Sequence, residues 1–297
     1  ITCRIRFLQS ARIPVFLDQE DSSMNLRPSW WLDFLRVVWP LTYLSAKMTQ
    51  WPVVGRLFSV MVRPIFTGRN FNISHIPVNR DIRGAGSTFL PERLLEELIR
   101  RSSHRIIINR CTCRESEECR HYPIHEACLQ LGEGTRAIPP HIATRRTVDE
   151  ALAHMRKMVG MGLIPMIGRV RMDDFLYGTP NTGRSLTICF CCTCCCTIFK
   201  SARYFPGEVK ESLVRLRGLS VTTDMAACTG CGTCVSECFT GARTLSGNRI
   251  IHDDALCKGC GRCATVCPSK AVAISIENID GAINEIMSRI EQRMKID

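Results

Sequence analysis

The sequence predicts an α+β protein: an N-terminal amphipathic helical region, a small cysteine-rich α/β domain in the middle, and a module with a repeated cysteine loop near the C-terminus. Three observations predict this. Cysteines fall in dense runs with short gaps rather than being spread along the chain. Two of those runs directly follow stretches with strand character, in a segment that also shows helical periodicity. All four tryptophans lie within residues 30–51, in an apolar segment divided by prolines.

Residues 1–88 read as a basic, Trp-rich docking region. Within residues 30–66 the basic residues Arg36, Lys47, Arg56 and Arg63 interrupt the apolar run, and Asp33 is the one acid. The longest uncharged stretch, Val37–Ala46, is ten residues. A spanning helix needs roughly 20 predominantly apolar residues, so no transmembrane segment is expected. Pro40, Pro52 and Pro64 divide the segment into short helices. Val54, Leu57, Phe58, Met61 and Val62 share one helical face. Aromatic rings with Arg and Lys on short amphipathic helices fit an in-plane contact with a membrane surface. They also fit docking to a hydrophobic subunit, or a hairpin folded back on its own core. Thr67–Ser87 reads as a loop.

Residues 89–218 read as the cysteine-rich domain. A helix is expected over about Pro91–Ser102, with proline in its first turn and Leu94, Leu95, Leu98 and Ile99 buried. Arg105–Asn109 reads as a strand that runs into the first cysteine group. Thr147-Val-Asp-Glu150 is a capping box that starts a helix reaching about Val159. Leu163–Val170 and Leu186–Phe190 read as strands, and the second runs into the next cysteine group. Residues 219–276 form the repeated module. In residues 277–297, Ile283, Ile286, Met287, Ile290 and Met294 mark an amphipathic helix with Asp280 as its N-cap.

Nineteen cysteines divide into eight in residues 228–267, six in residues 189–196, four in residues 111–128, and Cys3. Such runs suit metal chelation better than cross-linking. They place the chain in a reducing compartment, the cytoplasm of an anaerobe. The net charge of +11 is uneven: residues 219–297 carry eight Lys/Arg against nine Asp/Glu, so the excess lies upstream. No nucleic-acid motif accompanies it, and nucleic acid is not an expected partner.

Residues 228–238 read C-T-G-C-G-T-C-V-S-E-C, and residues 257–267 read C-K-G-C-G-R-C-A-T-V-C, followed by Pro268. Three close cysteines on a tight loop can wrap three corners of a cubane, and glycines let the backbone amides approach its sulfides. The chain here resembles the bacterial two-cluster ferredoxins, over roughly Leu219–Ile276. The resemblance implies a βαββαβ-like module with two 4Fe–4S clusters. It implies that Cys228, Cys231, Cys234 and Cys267 hold one cluster, and that Cys257, Cys260, Cys263 and Cys238 hold the other. Phe239 stands where the family has proline after the fourth cysteine.

The other two groups are Cys111, Cys113, Cys119 and Cys128, and Cys189, Cys191, Cys192, Cys194, Cys195 and Cys196. These ten thiols are expected to ligate one or two further Fe–S clusters, with zinc or redox-active thiols as alternatives. Alternation along a strand would turn Cys192 and Cys194 one way and Cys191 and Cys195 the other. Cys111, Cys113, Cys119 and Cys128 as a single ligand set is the simplest alternative. Arg110 and Arg114 beside these thiols would offset cluster charge, and His121 and His125 read as exposed loop residues.

The expected function is electron transfer, as a subunit of a larger redox complex at the inner face of the cell membrane. Its partners would be redox proteins, with peripheral membrane contact through residues 30–66. The alternative is an Fe–S enzyme that uses an unusual cluster or thiol pair of the middle domain to reduce a substrate such as a disulfide. No glycine-rich nucleotide fingerprint and no hydrolytic constellation is present.

Overall fold

A computed structural model describes residues 27–52, 55–57, 59–60, 66, 70–77, 90–179 and 183–293. Cys3, Val54, Phe58, Met61, Val62, Arg63, Pro64 and Met294 lie outside the described residues.

The middle of the chain is built on a six-stranded antiparallel sheet. Its strands are β1 (Phe71–His75), β2 (Arg105–Ile108), β3 (Leu129–Leu131), β4 (Ala143–Arg145), β5 (Ile164–Val170) and β6 (Leu186–Cys191). Their order across the sheet is β1-β5-β6-β3-β2-β4. The predicted strands are β2, β5 and β6. Three more were missed. β3 and β4 have three residues each, too short for a period to register. β1 falls in the segment read as a loop, although Phe71 and Ile73 alternate with Asn72 and Ser74.

Helices flank the sheet. α1 (Trp31–Val38) and α2 (Pro40–Met48) are the short N-terminal helices, and Pro40 opens the second. α3 (Leu90–Arg101) and α5 (Val148–Gly160) lie together on one face. The capping box forms: Thr147 N–H donates to Glu150 Oε2 at 2.8 Å, and Glu150 N–H donates to Thr147 Oγ1 at 3.3 Å. α4 (Thr112–Ser116), α6 (Arg171–Tyr177), α7 (Thr197–Ser201) and α8 (Gly207–Glu211) are short.

The C-terminal module runs β7 (Leu219–Thr223), α9 (Thr233–Ser236), β8 (Arg243–Ser246), β9 (Arg249–His252), α10 (Arg262–Thr265), β10 (Val272–Ile276). This is the expected βαββαβ order. β7 pairs with β10 and β8 with β9, both antiparallel. α11 (Ile279–Glu291) closes the chain, burying Ile283, Ile286, Met287 and Ile290. Its N-cap is Asn278 rather than Asp280: the Asn278 side chain accepts from Gly281 N–H at 2.8 Å. Asp280 sits in the first turn, where its charge suits the helix dipole, and it pairs with Arg93 at 2.8 Å.

The two faces of β6 belong to different cores. Leu186, Ile188, Phe190 and Cys192 join the core that holds α3, α5, α11 and the strands β7 and β10. Cys191 joins a second core with Phe71, Phe199, Phe205 and Phe239. This second core also joins the sheet to the C-terminal module, through Phe239. The Phe239 ring lies 4.6 Å from Phe199 and 5.1 Å from His75. The residue that departs from the repeat is therefore a packing residue.

His75 is fully buried in that contact, and neither ring nitrogen has a hydrogen-bond partner among the described residues. Burial, with Lys258 nearby, lowers its pKa from 6.5 to about 3. The unfolded chain thus takes up this proton before the folded one, and His75 subtracts stability as pH falls below 6.5. The loss approaches about 1.4 kcal/mol per pH unit until the folded value is reached. Denaturant unfolding of a His75→Phe variant should show a shallower loss of stability below pH 6.5 than the parent. An unchanged slope would mean that His75 is hydrated in the folded state.

Candidate metal centres

In each C-terminal repeat, two glycines with positive φ turn the loop: Gly230 and Gly232, then Gly259 and Gly261. A Cβ at Gly261 would meet Pro77 at 2.8 Å, so glycine is also required there for the loop to approach the chain after β1. The loops aim backbone N–H groups at sulfur. Cys231 receives one from Thr233, and Cys260 receives its equivalent from Arg262. The repeats also match after their fourth cysteines: Thr240 Oγ1 is 3.6 Å from Cys238 Sγ, and Ser269 Oγ is 3.6 Å from Cys267 Sγ.

The eight thiols line two cavities. Cys228, Cys231, Cys234 and Cys267 line one. Cys257, Cys260, Cys263 and Cys238 line the other. The fourth cysteine of each repeat thus crosses to the other loop, the sorting that a pair of cubanes needs. Burial pushes the Cys260 thiol above its ordinary value and the Cys263 thiol up to about 11. Apolar surroundings favour the thiol unless a metal replaces the proton.

The ten thiols of the middle domain sort into four and six. Cys119, Cys192, Cys194 and Cys195 bring their Sγ atoms within 4.8 Å of one another. Cys119 Sγ is 3.9 Å from Cys194 Sγ, which is 3.5 Å from Cys195 Sγ. Cys111, Cys113, Cys128, Cys189, Cys191 and Cys196 line a cavity of about 130 Å³, whose wall also includes Cys192 of the first group.

This differs in one respect from simple alternation along the strand. Cys189 and Cys191 share a face of β6, and Cys192 takes the opposite one, as a period of two requires. The strand ends at Cys191, however, and residues 193–195 turn. The turn brings Cys195 round to Cys192 and Cys194, and returns Cys196 to the side of Cys191. Cys119 likewise leaves Cys111, Cys113 and Cys128. Its N–H donates to Arg114 O at 2.8 Å as the chain rounds the end of α4.

Arg114 lies between the two thiol groups. It is almost fully buried, and its Nη1 donates to Pro123 O at 2.7 Å and its Nη2 to Phe190 O. Thiols of both groups face its charge: Cys111, Cys192 and Cys128. Arg110 serves differently, because it pairs with Glu115 and with Asp33 at 2.7 Å. Arg120, His121 and His125 are exposed.

The six-thiol cavity holds three close pairs. Cys128 Sγ, just before β3, and Cys189 Sγ, on the neighbouring β6, are 3.0 Å apart. Cys111 shares a hydrogen bond with Cys113, and Cys191 with Cys196. Asp173 lines the same cavity and accepts from Thr187 Oγ1 at 2.7 Å. Burial raises its pKa to about 7. The start of α2 roofs the cavity, with its N-cap residue Trp39 and with Thr42. Trp39 Nε1 donates to Thr197 Oγ1 at 2.7 Å, and Thr197 Oγ1 is 3.2 Å from Cys113 Sγ. This roof went unread in the sequence, because nothing local connects Trp39 with Thr197.

A family model describing a 4Fe-4S dicluster domain matches residues 227–271. Residues 227–271 form a 4Fe-4S dicluster domain. No curated protein and no solved structure matches the chain.

The dicluster domain fits its two clusters in charge as well as in thiols. Arg243 is buried, and its Nε and Nη2 have no hydrogen-bond partner among the described residues. Its Nη1 donates to Thr223 Oγ1 at 3.0 Å and is 4.0 Å from Cys234 Sγ, and its charge also faces Cys263. One guanidinium thus serves a thiol from each cavity of the dicluster domain. A cation beside a cluster stabilises the reduced, more negative state. Arg243→Met should lower the reduction potentials of the dicluster domain, on the order of tens of millivolts for an effect of about 1 kcal/mol. Redox titration followed by EPR checks this, and unchanged potentials would assign Arg243 to packing alone.

Proposed function

We propose that the chain is an iron–sulfur electron carrier that passes electrons between its dicluster domain and a metal centre at Cys119, Cys192, Cys194 and Cys195. The observation that carries this reading is adjacency. A cleft between the dicluster domain and the sheet is lined by Cys260, Arg262, Glu237 and Phe239 on one side and Thr193, Phe199 and Lys200 on the other. Thr193 lies within the Cys192–Cys195 turn. Cys192 and Cys195 belong to the same hydrophobic core against which Cys119, Cys257 and Cys263 pack.

The clusters of the dicluster domain supply reversible one-electron chemistry when bound. Cys257, Cys260, Cys263 and Cys238 would hold the one nearer the sheet, and Cys228, Cys231, Cys234 and Cys267 the other. Cys231 is exposed, which makes its side of the domain the natural entry for an external redox partner. Phe199 and Phe239 pack against each other at this contact, with ring centroids 4.6 Å apart.

The four middle thiols suit a soft metal. A tetrahedral thiolate site with metal–sulfur bonds of about 2.3 Å has edges of roughly 3.8 Å, close to the 3.5 and 3.9 Å separations here. A cubane would hold its thiolates further apart. Among the described residues no three thiols of the dicluster domain are so tightly grouped. That contrast favours a second reading, in which the four thiols bind a single ion; iron would extend the electron path, whereas zinc would end it. Metal analysis of anaerobically purified parent and Cys194→Ser protein separates the two, since Cys194 is exposed and its hydroxyl variant leaves the core intact. The parent should contain more than about eight irons, the complement of two cubanes, and the variant should lose iron. Loss of zinc from the variant at constant iron would overturn the extended path.

We also read the outer face of the N-terminal helices as a surface for peripheral contact with a membrane. Among the described residues no helix is long and apolar enough to cross a membrane. The inner face packs down through Leu32, Leu35 and Ala46. The outer face leaves Trp30, Phe34, Val37, Leu41, Leu44 and Trp51 exposed, beside exposed Lys47 and Arg56. This pattern suits an interfacial contact with anionic lipid. Anionic vesicles should co-sediment the parent, and Val37→Asp with Leu41→Asp should abolish this without loss of iron. Equal sedimentation of both would remove the lipid contact from the reading.

A further inference from the structure

Six thiols exceed the need of any single tetrahedral ion or cubane, each of which takes four. Cys111, Cys113, Cys128, Cys189, Cys191 and Cys196 nevertheless line one cavity, whose wall Cys192 of the four-thiol group also reaches. They reach it from four separate stretches of chain: the entry to α4, the start of β3, one face of β6 and the N-cap of α7. Packing alone does not select six cysteines for one wall, because a buried cysteine is only a small hydrophobe. The cavity's volume of about 130 Å³ is several times that needed for one water molecule. It is therefore too roomy for an isolated ion held by short bonds.

The rest of the wall is as informative as the thiols. Met166, Val170, Phe66 and Phe71 make it apolar, Trp39 covers it, and Asp173 adds one carboxylate. Soft sulfur donors in an apolar, roofed cavity select iron–sulfur chemistry over hard cations. Arg114 supplies a buried cation on the side of the four-thiol group, so negative charge in the cavity is offset within the fold. We propose that this cavity binds a polynuclear iron–sulfur cluster through Cys111, Cys113, Cys128, Cys189, Cys191 and Cys196, on the opposite face of β6 from the four-thiol centre. The inference extends the electron-carrier reading but does not depend on which metal occupies Cys119, Cys192, Cys194 and Cys195.

The test combines chemical analysis with diffraction. Cys128→Ser with Cys189→Ser removes one close pair and keeps the size of both side chains. Iron and acid-labile sulfide are measured on parent and variant, with Mössbauer spectra of iron-57-enriched protein. The variant should lose about three to six irons, depending on whether each close pair chelates one iron or each thiolate holds its own. Sulfide should fall in step, which separates a cluster from isolated thiolate-bound ions. The EPR signals of the reduced dicluster domain should persist and show that the variant is folded. Anomalous diffraction at the iron edge on crystals of the parent needs no variant. It should place several irons between Cys128, Cys189 and Cys196. An empty cavity in that map, or unchanged iron and sulfide in a folded variant, overturns the proposal. Cys194→Ser reports separately on the four-thiol centre, so failure of one reading is distinguishable from failure of the other.

Discussion

The middle domain is organised by a strand that carries thiols on both faces. β6 lies inside the sheet, paired with β5 on one side and β3 on the other, and a hydrophobic core covers each of its faces. Cysteine is among the few polar-capable residues that such a strand accepts, because the protonated side chain packs as a small hydrophobe. The same burial makes the bare thiolate costly, and Cys189 and Cys191 are both driven well above the ordinary thiol value, first by their hydrogen-bonded partner thiols and then by burial. A bound metal reverses that balance by replacing the proton with a cation. The fold thus holds its sulfur donors in an environment where metal binding and folding are coupled.

Charge compensation repeats in the two halves of the molecule. Arg243 stands between thiols of the two cavities in the dicluster domain, and Arg114 stands between the four-thiol and six-thiol groups. Both are nearly inaccessible to water. A buried guanidinium without a carboxylate partner is expensive unless an anion lies nearby. Neither arginine has a carboxylate among its hydrogen-bond partners; each donates to neutral oxygens and otherwise faces sulfur. Arg110, one residue before Cys111, shows the contrast: it is spent on Glu115 and Asp33 and fixes α1 to α4 instead.

The dicluster domain was legible because its information is local. The spacing within each repeat sets the loop, and the repeat itself states that there are two. The grouping of the other ten thiols was not legible to the same degree. That Cys128 faces Cys189 follows from the pairing of β3 with β6, in which Leu129 is opposite Ile188; β3 has three residues and no pattern of its own. That Cys195 joins Cys192 follows from where β6 stops, at Cys191, whereas alternation through the whole cysteine run assumes a strand continuing to Cys196. Helix positions were recovered well where a cap or proline marks them, as at Thr147 and Pro40. The N-cap of α11 was misassigned because Asn278 and Asp280 are both chemically able, and only the side-chain bond to Gly281 separates them.

The N-terminal helices bear on the surroundings of the six-thiol cavity. Read as sequence, residues 30–66 describe a surface that seeks a partner. In the fold their inner residues already have one, because Trp39 and Thr42 close the six-thiol cavity and Asp33 and Arg36 pair with Arg110 and Glu118. The two roles are compatible only if the helices have two faces, which their burial pattern provides. A partner seated on Trp30, Val37 and Leu41 would then rest on the outer side of the same element that roofs the thiols. Trp39 reaches Cys113 through the Thr197 hydroxyl, so a shift of α2 would be felt at that sulfur. The docking proposed for these helices would therefore be linked mechanically to the innermost thiols.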